Sequence, residues 1–204
     1  DPPPKAFVPS HDFKRFEANA EQTATGMKFK LPPERDFPSS LIGFMHKGNL
    51  RGDFEIIGRF KIHKLDRSEI VDRWKTPGFD LGAKLGETEN YITTSLRFKP
   101  EQFNGRQVTT MGTSTHGPSK QPRVDARDTP WTAMSGRQRI IRKGSAAYYL
   151  MADGNSDEWR ILDKKRVDRD DISTVVFFVR NFDPQSHVEI ELQELTIKAA
   201  QQIE

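Results

Sequence analysis

The nine residues Ile172-Ser-Thr-Val-Val-Phe-Phe-Val-Arg180 decide the fold class. Val175, Val176, Phe177, Phe178 and Val179 place apolar side chains on both faces of an extended chain. Such a strand belongs in the middle of a sheet, with cover on both sides. Outward from it, period-two alternation recurs from end to end, and helical periodicity is scarce. Phe54, Ile56, Phe60 and Ile62 share one face against Glu55, Arg59, Lys61 and His63. Gly58 interrupts that apolar row, which implies a bulge or a close backbone approach. Phe79, Leu81, Ala83 and Leu85 alternate with Asp80, Gly82 and Lys84, and Ile92, Thr94, Leu96 and Phe98 alternate with Tyr91, Thr93, Ser95 and Arg97.

Met27, Phe29 and Leu31 form a short strand stopped by Pro32-Pro33, and further strands are predicted near 106–111, 137–143, 146–152 and 158–162. Val188, Ile190 and Leu192 lie two apart, but the series resumes at Leu195 and Ile197. One extra residue near Gln193-Glu194, a β-bulge, accounts for the change of phase. About ten strands separated by turn signals indicate a two-sheet antiparallel β-sandwich or a barrel, and exclude a parallel βαβ fold. One short helix is expected at 68–74, where Ser68 is placed to cap and Ile70, Val71 and Trp74 to pack. Residues 33–50 read as a loop-rich connection, and 112–130, almost without apolar content, as a flap outside the core.

Composition narrows the function. The 204 residues suffice for one large β domain, and no apolar run approaches the length of a membrane span. The absence of cysteine excludes disulfides, thiolate chemistry and cysteine-based zinc sites. The 32 basic and 29 acidic residues are interleaved, so no basic stripe for nucleic acid emerges. Asp1-Pro2-Pro3-Pro4 reads as a stiff tether from something upstream. Residues 1–25 are therefore expected to be an N-terminal tether and first edge segment, and 26–204 a single sandwich domain.

From Gly136 the chain runs Gly-Arg-Gln-Arg-Ile-Ile-Arg-Lys-Gly-Ser-Ala-Ala-Tyr-Tyr-Leu-Met-Ala-Asp-Gly-Asn-Ser-Asp-Glu-Trp-Arg-Ile-Leu. This resembles the paired strands of concanavalin A-like lectin/glucanase sandwiches, in which an Arg-x-Gly strand ending precedes a Tyr-rich strand, an Asp-Gly turn and a Trp-bearing strand. The matching positions are Arg142, Gly144, Tyr148, Tyr149, Asp153, Gly154 and Trp159. Gly52–Ile56 looks like the early strand of such domains and Val188–Ala199 like their closing strand. The whole looks most like an uncharacterised bacterial domain of this superfamily, found in large exported proteins. The resemblance implies a concanavalin A-like jelly roll. The superfamily hosts lectins, glucanases, laminin-G modules and scaffolds, so the fold transfers almost no function.

Retaining glucanases of this superfamily resemble one another in a Glu-x-Asp-x-x-Glu strand that brings two carboxylates about 5 Å apart. No such run occurs here. Glu87 and Glu89 precede a strand, and Glu189 and Glu191 are expected on a solvent face. Asp153, Asn155 and Asp157 have alternate-oxygen spacing, but Glu158 stands where an EF-hand loop needs glycine, so the run reads as a hairpin turn. The five histidines show no metal-ligand spacing, His116 alone lies in the long loop, and no Gly-x-Ser-x-Gly turn occurs. No catalytic residue, metal site or cofactor is assigned. Arg51-Gly52-Asp53 matches an adhesion tripeptide but reads as turn chemistry.

The most ligand-like feature is a strand face. Tyr91, Thr93, Ser95 and Arg97 offer a ring, two hydroxyls and a fork donor on the non-core side, a set suited to sugars. Trp131 and Tyr149 are the further residues expected to join that site; Trp74 and Trp159 read as core or core-edge. The expected function is a non-catalytic, lectin-like or adhesive module of a larger exported protein, with carbohydrate as ligand and an extracytoplasmic location. The alternatives are a carbohydrate-active enzyme whose carboxylates come from loops, with Asp125, Asp128 or Glu89 as candidates, and a structural spacer.

Overall fold

The computed structural model describes residues 7–9, 18–33, 41–66, 68, 75–86, 90–98, 106–114, 123–154 and 156–203. Thirteen strands among them are joined by antiparallel pairings into two layers. The front layer runs in the order β1 (Phe7–Pro9), the first part of β4 (Leu41–Leu65), β12 (Ile172–Arg180), β5 (Gly78–Leu85), β6 (Asn90–Phe98), β7 (Arg106–Ser114) and β8 (Arg123–Pro130). The back layer runs β11 (Arg160–Arg166), β10 (Ala146–Asp153), β9 (Ser135–Lys143), the second part of β4, β13 (Val188–Ile203), β3 (Met27–Leu31) and β2 (Ala20–Gln22). β4 thus belongs to both layers, passing from one to the other near Gly52, whose φ of 74° suits glycine.

The two layers meet through the rows that alternation predicts. Phe54, Ile56, Phe60 and Ile62 of the back layer and Phe79, Leu81, Ala83 and Leu85 of the front layer are all buried. Phe60 meets Phe79 with ring centroids 4.8 Å apart, and Phe29 meets Phe177 at 5.6 Å. A Cβ on Gly58 would lie 3.0 Å from Leu81 Cδ2, so this glycine makes room for a side chain of the facing layer, and neither the expected bulge nor a close backbone approach accounts for it. β12 lies between β4 and β5, with Val175, Phe177 and Val179 inward and Val176 also buried on its other side. The register of β13 shifts between Leu192 and Glu194, the bulge that the change of phase requires.

Residues 41–50 are not a loop but the first part of β4, paired with β12 from Arg180↔Leu41 to Ile172↔Leu50. Glycines gave this stretch its loop-like look. Gly43 is there because a Cβ would run into the Phe177 carbonyl, a packing requirement within a strand. Of the polar stretch 112–130 expected as a flap, residues 112–114 continue β7 and 123–130 form β8, paired from Gln107↔Pro130 to Ser114↔Arg123, and 115–122 lie outside the described residues. Edge strands need few apolar residues, and threonines such as Thr109 and Thr110 suit a pleated surface. The helix expected at 68–74 lies outside the described residues except Ser68, whose hydroxyl donates to Asp183 Oδ2 at 2.7 Å. No helix among the described residues is long and apolar enough to cross a membrane.

Candidate functional site

In β6, Ile92, Thr94 and Leu96 point inward and are buried, so pleating sends Tyr91, Thr93, Ser95 and Arg97 outward together. Register then supplies their neighbours. Asp80 lies opposite Ser95 and Gly78 opposite Arg97 on β5, while Gln107 and Thr109 lie opposite Arg97 and Ser95 on β7. Asp80, Thr93, Ser95, Arg97, Gln107 and Thr109 are all buried, although they sit on the outward side of the sheet. This face is polar and screened from solvent; Tyr91 is half-buried at its border.

Its charges are tightly paired. Arg97 Nη2 donates to Asp80 Oδ1 at 2.6 Å and to Ser95 Oγ at 3.3 Å, and Arg180 Nη2 donates to the other Asp80 oxygen. Burial pulls the Arg97 guanidinium down to about 10 against the attraction of Asp80. Burial alone would raise the Asp80 carboxyl, but Arg180 and Arg97 beside it hold it below the usual carboxylate range. Thr109 Oγ1 donates to Asp128 Oδ1 at 2.5 Å on the same face. A buried ionic cluster of this kind fixes its side chains, so the hydroxyl and guanidinium donors stand in set positions.

Of the four residues expected to bind ligand, Tyr91 and Arg97 share this face. Tyr149 does not. It lies on the inward side of β10 with 0% exposure, its hydroxyl donating to the Met111 carbonyl at 2.8 Å, and burial pushes its phenol up. It ties the two layers together inside the sandwich. Trp131 lies just beyond β8, its backbone N–H donating to the Arg106 carbonyl at 3.1 Å and its ring under Arg160 at 5.0 Å. It is a buried residue at one end of the sandwich. Trp159 is half-buried against the outward guanidinium groups of Arg137 and Arg139, at 4.9 and 5.3 Å, which places it outside the core. Trp74 lies outside the described residues.

The candidate carboxylates do not assemble. Asp125 and Asp128 are three apart in β8, and pleating sends them to opposite faces. Asp125 pairs with buried Lys165 at 3.0 Å, and Lys165 also pairs with Asp163 at 2.7 Å. Glu87, Glu89, His116 and Asn155 lie outside the described residues. Glu191 is not solvated: it is buried, accepting hydrogen bonds from Thr23 at 2.7 Å and from Thr25, with His63 Nε2 at 2.9 Å. Burial alone would raise its carboxyl, but these three partners hold it down to about 2. Asp53 of the adhesion-like tripeptide accepts from the Gly144 N–H at 2.7 Å, a structural contact between turns. Among the described residues no three histidine or acidic side chains gather as a metal site.

Two features escaped the sequence reading. The link from Asp80 to Arg97 and Arg180 follows only from strand register. The juxtaposition of Trp131 and Trp159, with residues of the β10–β11 connection, encloses a pocket of about 420 Å³.

Comparison with curated proteins finds no match. Solved structures are similar in fold. An alginate lyase from Klebsiella pneumoniae has a TM-score of 0.62 at 9% identity, covering 89% of this chain and 84% of that one. A functionally unknown protein from Saccharomyces cerevisiae has 0.61 at 9%, covering 96% and 97%. The VIP36 exoplasmic/lumenal domain in its Ca²⁺/Man3GlcNAc-bound form has 0.60 at 10%, covering 96% and 84%. At such identities the likeness is one of fold, and the fold is that of the concanavalin A-like lectin/glucanase superfamily. Residues 8–204 match the family model described as Protein of unknown function (DUF1583) C domain, and the chain belongs to that family.

Proposed function

We propose that this domain is a non-catalytic glycan-binding module of a larger exported protein, holding its ligand on the outward face of the front layer. The observation that carries the reading is the polar row Tyr91, Thr93, Ser95 and Arg97, flanked by Thr109 and Gln107 and fixed by the Asp80–Arg97–Arg180 cluster. Tyr91, half-buried at the border of this face, offers a ring for stacking, and the buried Thr93, Ser95 and Arg97 hold the polar surface beneath it in place. Groups already held in place lose little freedom on binding. The fold's appearance in a lumenal domain bound to Man3GlcNAc and in an alginate lyase supports a carbohydrate ligand. The reading places the domain outside the cytoplasm, where such glycans lie.

A glycan array, run with and without calcium, tests it. Tyr91→Ala should weaken the best ligand by about 1–3 kcal/mol, roughly 5- to 150-fold, with the circular dichroism spectrum unchanged. Unchanged affinity would remove this face from the proposal. Failure of the intact chain to bind any glycan would favour the spacer reading, and release of shortened sugars would favour an enzyme.

A further inference from the structure

Along the chain the basic residues are interleaved with acids, but strand register sorts them on the outward face of the back layer. One row of that face crosses the strands from Lys198 of β13 to Glu55 of β4, Ile141 of β9, Tyr148 of β10 and Lys164 of β11. The next row, at the β9–β10 turn, holds Lys143 of β9, Ala146 of β10 and Arg166 of β11. The carboxylates on this side of β4 are already engaged: Arg139 pairs with Glu55 at 3.0 Å, and the Gly144 N–H donates to Asp53 at 2.7 Å. Lys143, Lys164, Arg166 and Lys198 are exposed, and their cationic groups form no ion pair or hydrogen bond among the described residues.

We propose that this corner of the back layer is a binding surface for a linear anionic polysaccharide, lying across the strands from Lys198 to Lys164 and Arg166. Lys143 and Lys198 line an open hollow of about 320 Å³, together with Ile141 and Ala200. At a strand spacing of about 4.8 Å, Lys198 and Lys164 stand roughly 19 Å apart at the backbone, a span that only an extended ligand covers. Ammonium and guanidinium groups meet the carboxylates or sulfates of such a chain in charge-assisted hydrogen bonds. The cations rise from paired strands, so their spacing is set before any ligand arrives.

Other polyanions fit this surface less well. Single-stranded nucleic acid needs open rings for its bases, but Lys164 covers the Tyr148 ring at 5.1 Å and Arg137 and Arg139 cover Trp159. An anionic bilayer meets a whole face at once, and towards β13 this face turns acidic at Glu189, Glu191 and Glu194, which a charged membrane surface repels. A protein partner needs large apolar anchors, and on these rows Ile161 is the large apolar side chain that stands exposed among the described residues. A polysaccharide chain needs neither rings nor a flat cationic plane.

Isothermal titration calorimetry at about 50 mM and about 200 mM salt tests this, with polygalacturonate, alginate and chondroitin sulfate as probes. Neutral dextran, a single-stranded oligothymidylate and phosphatidylglycerol vesicles are titrated beside them. At least one of the three anionic polymers should bind saturably at the lower salt, and dextran should not. The rise in salt should weaken that binding at least about tenfold, as counterion release requires. The double variant Lys143→Gln with Lys164→Gln, both exposed, should weaken it at least about fivefold with an unchanged circular dichroism spectrum. Lys84→Gln, on the outward side of β5 in the front layer, should leave it unchanged. No binding of any of the three polymers overturns the proposal, as does binding of oligothymidylate or vesicles that matches or exceeds theirs. Unchanged affinity in the double variant, or an equal loss in Lys84→Gln, would also overturn it by moving the binding to another surface.

Discussion

Glu191 gives the structure a measurable dependence on acid. Its carboxylate lies on the outward side of β13, yet Thr23 and Thr25 from the β2–β3 turn and His63 from β4 enclose it. These bonds hold its pKa at about 2 against an ordinary value of 4.5. Because the folded value is the lower one, the contribution to stability is complete well above pH 4.5 and is lost as the pH falls towards 2. At about 1.4 kcal/mol per pKa unit, the shift corresponds to at most roughly 3.5 kcal/mol, and about 1–3 kcal/mol is the working range for a carboxylate on the outward side of a sheet. Glu191→Gln keeps the shape and one acceptor oxygen but removes the charge and turns an NH₂ towards one of the present donors. Urea unfolding of both proteins, followed by circular dichroism from pH 7 down to pH 3, measures the difference directly. The wild type should be more stable by about 1–3 kcal/mol at pH 7, and about half of that margin or more should be gone by pH 3. A margin that stays constant across this range would refute the assignment, since titration of the other carboxylates cancels in the comparison.

Arg142 is fully buried, donates to the Gly52 and Asp170 carbonyls and packs over Phe54 at 4.7 Å, so Arg142→Ala should cost roughly 2–4 kcal/mol in urea unfolding. Arg142→Lys should recover only part of this loss, because a single ammonium replaces a fork that spans two carbonyls. Gly58→Ala should cost about 1–3 kcal/mol through its 3.0 Å contact with Leu81 Cδ2, and a double-mutant cycle with Leu81→Ala should show strong coupling between the two sites.

Whatever depends on one strand at a time was legible in the chain. One buried face forces period two, so Phe54 to Ile62 and Phe79 to Leu85 announced both their strands and their inward sides. Alternation failed where both sides of the question look alike. Leu41 to Leu50 mixes glycines with apolar residues because its glycines answer to a neighbouring backbone, and 112–130 lacks apolar residues because part of it forms a sheet edge. Tyr148 and Tyr149 must face opposite ways, but Leu150, Met151 and Ala152 follow as an unbroken apolar run, so no phase singles out the inward ring. It is Tyr149, with Ala147 and Met151, that lies inside.

The candidate sites belong to a different order of information. Arg97 and Asp80 are 17 residues apart and Arg180 is 100 from Asp80, and they meet only because β6, β5 and β12 are neighbours in one particular register. A shift of one residue in either pairing would send these charges into the apolar interior, where separating them would be severely destabilising. The cluster therefore specifies the register as well as depending on it. Trp131 and Trp159 likewise approach across the two layers, each unremarkable beside its own sequence neighbours. In a sandwich whose core can be filled by many apolar sequences, binding chemistry resides in such cross-strand and cross-layer coincidences. They became visible here only after the order of the strands was known.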